Sequence, residues 1–150
     1  MPRALVVDDD ETIRDTLYEL LSEEYLCQTA ETAEKAFARL EADSYDVVLT
    51  DISMPGLSGL ELLGHVRQKF PHTPVIIISG ISDQEHAQGL IRLGAFDFLL
   101  KPFSLDAVEK SVKRAVEYRR HLLEGDDFRE LPNEMKDTQT EVNDWKIVKE

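Results

Sequence analysis

The sequence predicts an α/β domain: a parallel five-stranded sheet covered on both faces by five helices. Short aliphatic runs alternate along the chain with segments whose apolar residues recur at helical spacing. The runs stop abruptly in polar or turn-forming residues, and neighbouring parallel strands require right-handed helical crossovers. With 150 residues and 42% hydrophobic content, the chain has enough material for one core and hardly for two.

The first run, residues 4–7, ends in Asp8-Asp9-Asp10, and Ile13, Leu17, Leu20 and Leu21 then mark a helix. Asp10 suits the N-terminus of that helix, where an acid favours the dipole. Residues 25–29 form the expected second strand. The next helix has Ala33, Ala36, Phe37 and Leu40 on its inner face and Thr32 as its cap. A third run, residues 47–49, leads into Thr50-Asp51 before Met54-Pro55-Gly56 breaks the chain. Ser58 and Glu61 form a capping box there, ahead of Leu60, Leu63 and Val66.

Residues 75–78 are almost purely aliphatic, as in a strand covered on both faces, and Ser79-Gly80 ends them. Ser82 and Glu85 suggest another capping box, Ala87, Leu90 and Ile91 an apolar face, and Gly94 a left-handed helix stop. The fifth strand, residues 96–100, halts at Lys101-Pro102, a pair that can hold a cis bond. From Ser104 a last helix turns Leu105, Val108, Val112, Ala115 and Leu122 inward, leaving Lys113, Arg114, Arg119 and Arg120 on its exposed face. A flavodoxin-like three-layer sandwich with strand order 2-1-3-4-5 is the natural candidate, with ligands gathering beyond the carboxyl ends of the strands.

Seventeen basic against thirty acidic residues give a formal charge of −13, which disfavours non-specific attraction to nucleic acid or anionic lipid. Proteins and cations are the expected partners. Cys27 is the single cysteine and reads as a small buried filler, so no disulfide framework arises. With no charged-then-apolar leader and no membrane-length apolar run, a cytoplasmic location is expected. His65, His72, His86 and His121 lack the spacing of a zinc site and read as surface residues.

The carboxyl ends of the expected strands carry Asp8 and Asp9, Asp51, Ser79 and Lys101. A core needs no such gathering of carboxylates, whose mutual repulsion favours protonation of one or recruitment of a cation. Magnesium accepts oxygen ligands and keeps some waters, leaving room for a phosphate oxygen. An ammonium and a hydroxyl can hold the remaining phosphoryl oxygens. Phosphoryl transfer to a carboxylate then depends mainly on positioning and charge neutralisation, and the nucleophile is already ionised.

Leu5-Val6-Val7-Asp8-Asp9-Asp10, Val47-Val48-Leu49-Thr50-Asp51-Ile52-Ser53-Met54-Pro55-Gly56, the segment from Val75 to Ser79, and Lys101-Pro102 together resemble the signature segments of bacterial two-component response-regulator receiver domains. The resemblance covers roughly residues 3–123 and is specific as a set. It implies that Asp51 accepts a phosphoryl group from a histidine kinase or phosphotransfer protein. It further implies Mg2+ bound by Asp8, Asp9, Asp51 and the Ser53 backbone carbonyl, Asp8 acting through water. Lys101 would contact the phosphoryl group and Ser79 would reorient toward it. Phe98 stands where the family keeps a rotameric aromatic switch. The implied readout is the face of the fourth helix, fifth strand and fifth helix, a possible homodimer surface. Ile81, apolar where many relatives are polar, implies slow self-dephosphorylation.

Two other classes share part of this pattern. Haloacid-dehalogenase phosphatases also use a strand-end aspartate and magnesium, but carry a second acid two residues on, where this chain has Ser53. An interaction module that keeps only the fold would not need the acids, hydroxyl and lysine. Beyond residue 123 the chain becomes polar and acid-rich, with Trp145, Ile147 and Val148 too sparse for a second core. Residues 124–150 read as an extension, or as a linker to an absent output domain. The segment Phe96-Asp97-Phe98-Leu99-Leu100-Lys101-Pro102-Phe103 resembles receivers attached to transcriptional modules, yet no nucleic-acid-binding motif is visible in this chain.

Overall fold

The computed structural model describes residues 1–52, 59–80 and 87–125, the side chains of residues 87 and 88 excepted. The strands are β1 (Arg3–Val7), β2 (Leu26–Ala30), β3 (Val47–Asp51), β4 (Val75–Ser79) and β5 (Asp97–Leu100). The helices are α1 (Glu11–Leu21), α2 (Ala33–Ala42), α3 (Gly59–Lys69), α4 (Ala87–Arg92) and α5 (Leu105–Leu123). All strand pairs are parallel, in the order β2-β1-β3-β4-β5. The expected fold class and strand order are both present.

The side-chain alternation of a strand builds two separate cores on the two faces of this sheet. Leu5, Val7, Val48, Val75 and Ile77 pack with Ala36 and Leu40 of α2, Leu62, Leu63 and Val66 of α3, and Leu90 of α4. Ala4, Val6, Val47, Leu49, Ile76 and Ile78 point the other way, onto Leu17 and Leu21 of α1 and Val108, Val112 and Ala115 of α5. Strands β3 and β4 are buried along their whole length. Each fully buried aliphatic side chain contributes about 1.5–3 kcal/mol over its exposed state.

Helix starts follow the capping chemistry of the sequence. Asp10 accepts from Thr12 N and Ile13 N at 2.9 and 3.3 Å, Thr32 from Lys35 N at 3.1 Å, and Ser104 from Ala107 N at 3.0 Å. Gly94, at φ +108°, takes the left-handed stop after α4, and a Cβ there would meet Arg67 Nε at 2.7 Å. The capping boxes at Ser58 and Ser82 lie outside the described residues.

Several expectations change. The second strand runs one residue later, since Tyr25 is buried beneath α1 while Leu26 begins the pairing. The fifth likewise starts at Asp97. Leu60 and Leu105 are exposed, because α3 is buried along Leu62, Leu63 and Val66, and α5 along Val108, Ser111, Val112 and Ala115. Arg114 and Arg119 are not free surface cations: they pair with Asp97 and Asp46, each at 2.9 Å. Cys27 is only half-buried. His65 is half-buried, its ring 4.3 Å from that of Phe37 and 6.3 Å from that of Phe70.

Candidate functional site

The parallel sheet delivers every strand's carboxyl end to one edge, so residues far apart in sequence meet there. Asp8 follows β1, Asp51 closes β3, Ser79 closes β4 and Lys101 follows β5. Register couples them: Asp51 lies opposite Ile78, and Ser79 opposite Leu100. The β4–β5 pairing continues one residue past β5, where the Lys101 amide donates to Ser79 O at 2.7 Å. The Lys101–Pro102 peptide is cis, as the sequence allowed.

Asp8, Asp9 and Asp51 converge: one carboxylate oxygen from each lies within 4.8 Å of the others. Asp8 is wholly buried, Asp51 nearly so, and Asp9 is exposed. The Lys101 ammonium donates to Asp51 Oδ2 at 3.0 Å and stands 3.3 Å from Asp8 Oδ2. That second approach is a charge contact without hydrogen-bond alignment, so Asp8 Oδ2 is buried with no hydrogen bond. Asp8 Oδ1 accepts the Asp10 amide at 2.9 Å.

The electrostatics reflect the crowding. Burial raises the Asp8 pKa and the Asp51 charge adds to it, against the opposing Asp10 amide and Lys101. For Lys101, burial works to lower the pKa, but the hydrogen bond to Asp51 and the charges of Asp8 and Asp51 outweigh it and raise the value. One ammonium thus faces two inner carboxylates, and the buried Asp8 Oδ2 shares it at 3.3 Å without an aligned hydrogen bond of its own. Three convergent carboxylates with one orphaned oxygen fit a hard divalent cation.

Ser79 is fully buried at the end of β4. Phe98, opposite Ile77, is half-buried against the core on the α2, α3 and α4 side. Ser53 and Ile81 lie outside the described residues. Three neighbours escaped the sequence reading. Arg14 on α1 donates from Nη1 to the Asp8 carbonyl at 2.8 Å, a contact that its position one turn into the helix after an acidic loop could have suggested. Gly59 brings the start of α3 so close to β3 that a Cβ would overlap the Asp51 carbonyl and stand 2.8 Å from Ile52 Cα. Asp97 accepts from Ser111 Oγ at 2.6 Å and Arg114 Nη2 at 2.9 Å, fastening α5 to β5 beside Phe98.

Residues 4–113 match the family model described as the response regulator receiver domain. The chain belongs to the response regulator receiver family. This receiver is 42% identical over 114 residues to the DNA-binding transcriptional regulator NtrC of Salmonella typhimurium, covering 75% of the chain and 24% of that protein. It is 40% identical over 123 residues to the C4-dicarboxylate transport transcriptional regulatory protein DctD of Pseudomonas aeruginosa, covering 81% of the chain and 27% of DctD. The receiver therefore spans about a quarter of the length of these curated relatives. Among solved structures it resembles the receiver domain of NtrX from Brucella abortus, with TM-score 0.73, 39% identity, and coverage of 76% of this chain and 98% of that one. A receiver domain from Clostridium thermocellum gives TM-score 0.77 at 30% identity, covering 81% and 99%. Among the described residues, no helix of this receiver is long and apolar enough to cross a membrane.

Proposed function

We propose that this receiver is a phosphorylation-dependent switch of a two-component system in which Asp51 accepts a phosphoryl group. The observation that carries the reading is the meeting of Asp51 with Asp8, Asp9 and Lys101 at the carboxyl edge of the sheet. Asp8, Asp9, Asp51 and the Ser53 carbonyl are the proposed Mg2+ ligands, Asp8 through water. When bound, Mg2+ would supply positive charge to a phosphoryl oxygen and to the carboxylates. An Asp51 carboxylate oxygen attacks phosphorus while the P–N bond of a phosphohistidine on a kinase or phosphotransfer protein breaks, and the departing imidazole takes up a proton. The Lys101 ammonium holds Asp51 in place beforehand and contacts the phosphoryl oxygens afterwards.

The phosphoryl group adds charge and acceptor oxygens next to β4. Ser79 turns to donate to it, and Phe98 repacks inward, shifting the population of the α4-β5-α5 face. That face passes the signal on, either to a partner, to a second copy of this chain, or to an output module beyond it. In this reading residues 1–123 are the receiver unit and 124–150 an extension or linker, the protein acts in the cytoplasm, and this chain makes no direct contact with nucleic acid. Family membership favours this reading over a haloacid-dehalogenase phosphatase.

The test is phosphate incorporation from acetyl phosphate with MgCl2, followed on a phosphate-affinity gel. Wild type acquires one retarded band and Asp51→Asn none. Equal retardation of both proteins, or none of either even with a phosphohistidine donor, defeats the reading.

A further inference from the structure

We infer that Arg14 is a positioning residue for the cation site, orienting the Asp8–Asp9 peptide so that both carboxylates face Asp51; this rests on the metal-site reading above. Asp8 is held at every polar atom but one. Its amide donates to Ala30 O at 3.1 Å, its Oδ1 accepts from Asp10 N at 2.9 Å, and its carbonyl accepts from Arg14 Nη1 at 2.8 Å. Only Oδ2 has no hydrogen bond, and it is directed into the cluster with Asp51 and Lys101. The carbonyl of Asp8 and the amide of Asp9 share one rigid peptide plane. A bond that fixes the carbonyl therefore also fixes the plane from which the Cα of the exposed Asp9 departs, and so narrows where its carboxylate can reach.

Arg14 is well placed for this task. It lies in the first part of α1, where its own amide donates to Asp10 O at 3.0 Å, and the residue is half-buried. The helix is capped by Asp10, so strand end, acidic turn and helix start are locked into one unit. Arg14 also raises an electrostatic objection that makes its role testable. As a cation beside a cation site, it should weaken Mg2+ binding if charge alone mattered, and its removal should tighten binding. Positioning predicts the opposite sign.

The experiment is calorimetric titration of the full chain with MgCl2, for wild type, Arg14→Ala and Arg14→Lys, alongside thermal unfolding without Mg2+. The inference expects Arg14→Ala to raise the Mg2+ Kd about 10-fold or more, the usual scale for partners that orient ligands. Arg14→Lys, which keeps a donor, recovers part of that loss. The Mg2+-free thermal midpoints stay close to wild type. Unchanged or tighter Mg2+ binding by Arg14→Ala overturns the inference while leaving the metal site intact. A loss of affinity that only tracks a lowered Mg2+-free midpoint overturns it as well, since Arg14 would then be merely structural. Absence of Mg2+ binding by wild type sinks both the inference and the metal-site reading beneath it.

Discussion

At the scale of single residues, the tightest constraint on the site is an absent side chain. Gly59 starts α3 against the backbone of Asp51 and Ile52, and its amide donates to Ile52 O at 3.1 Å. No rotamer can relieve an overlap with backbone atoms, so Gly59→Ala must push α3 or the end of β3 aside. Urea unfolding of Gly59→Ala should show a loss of about 1–3 kcal/mol, the usual range for overpacking. Gly64→Ala, with nothing near its Cβ, is the control that should hold its stability. Cys27 gives a pH signature. Burial pushes its thiol from 9.0 up to about 11, so the protonated form is favoured in the folded state. That contribution to stability is complete below pH 9 and is lost as the pH rises through 11. Native alkylation by iodoacetamide should keep accelerating past pH 9, whereas the urea-unfolded protein levels off near it.

At the scale of elements, helix α5 is held by a polar clasp as well as by its apolar stripe. Ser111 is buried on α5 and, with Arg114, meets the Asp97 carboxylate on β5. A hydrogen bond to a charged group contributes roughly 1.5–3 kcal/mol, so Ser111→Ala should lower the urea-derived stability by about that amount. Exposed Lys113→Ala should stay within about 0.5 kcal/mol of wild type. The clasp also explains the limits of the sequence reading. Strands, helix caps and the residues at strand ends were legible because each is written in a local pattern of apolar runs and turn chemistry. The partners of Arg114 and Arg119, and the tight approach of Gly59 to Asp51, were not. They depend on how one element lies upon another, across separations of 17 and 73 residues for the two arginine pairs. Leu60 and Leu105 were misplaced for a related reason: helical spacing gives an apolar stripe, and only packing decides which edge of it is covered.

At the scale of the molecule, the carboxyl edge of the sheet works against the stability of the metal-free fold. Asp8 is a fully buried carboxylate whose Oδ2 has no aligned hydrogen bond, and one ammonium serves both it and Asp51. Leaving a buried charge incompletely compensated costs stability that an uncharged group of equal size would not. Asp8→Asn should therefore unfold at a higher temperature than wild type in EDTA. In saturating MgCl2 the order should narrow or invert, since ligand at 100 times Kd stabilises a fold by about 2.7 kcal/mol and the variant has lost a carboxylate from the proposed metal site. Parallel thermal scans of the two proteins, with and without Mg2+, check this.

The strand order carries a consequence for how the chain acquires its shape. Strand β1, the first to be synthesised, lies between β2 and β3, so its second flank stays open until residues 47–51 have been made. Every pairing in the sheet closes a loop through a helix, and none closes through a hairpin. Such a topology has few short-range strand contacts with which to start, so its folding rate should be governed by loop closure between distant segments rather than by the strong local helix signals. The same arrangement that collects Asp8, Asp51, Ser79 and Lys101 at one edge makes that edge the last part of the sheet to be completed, once β5 and Lys101 are in place.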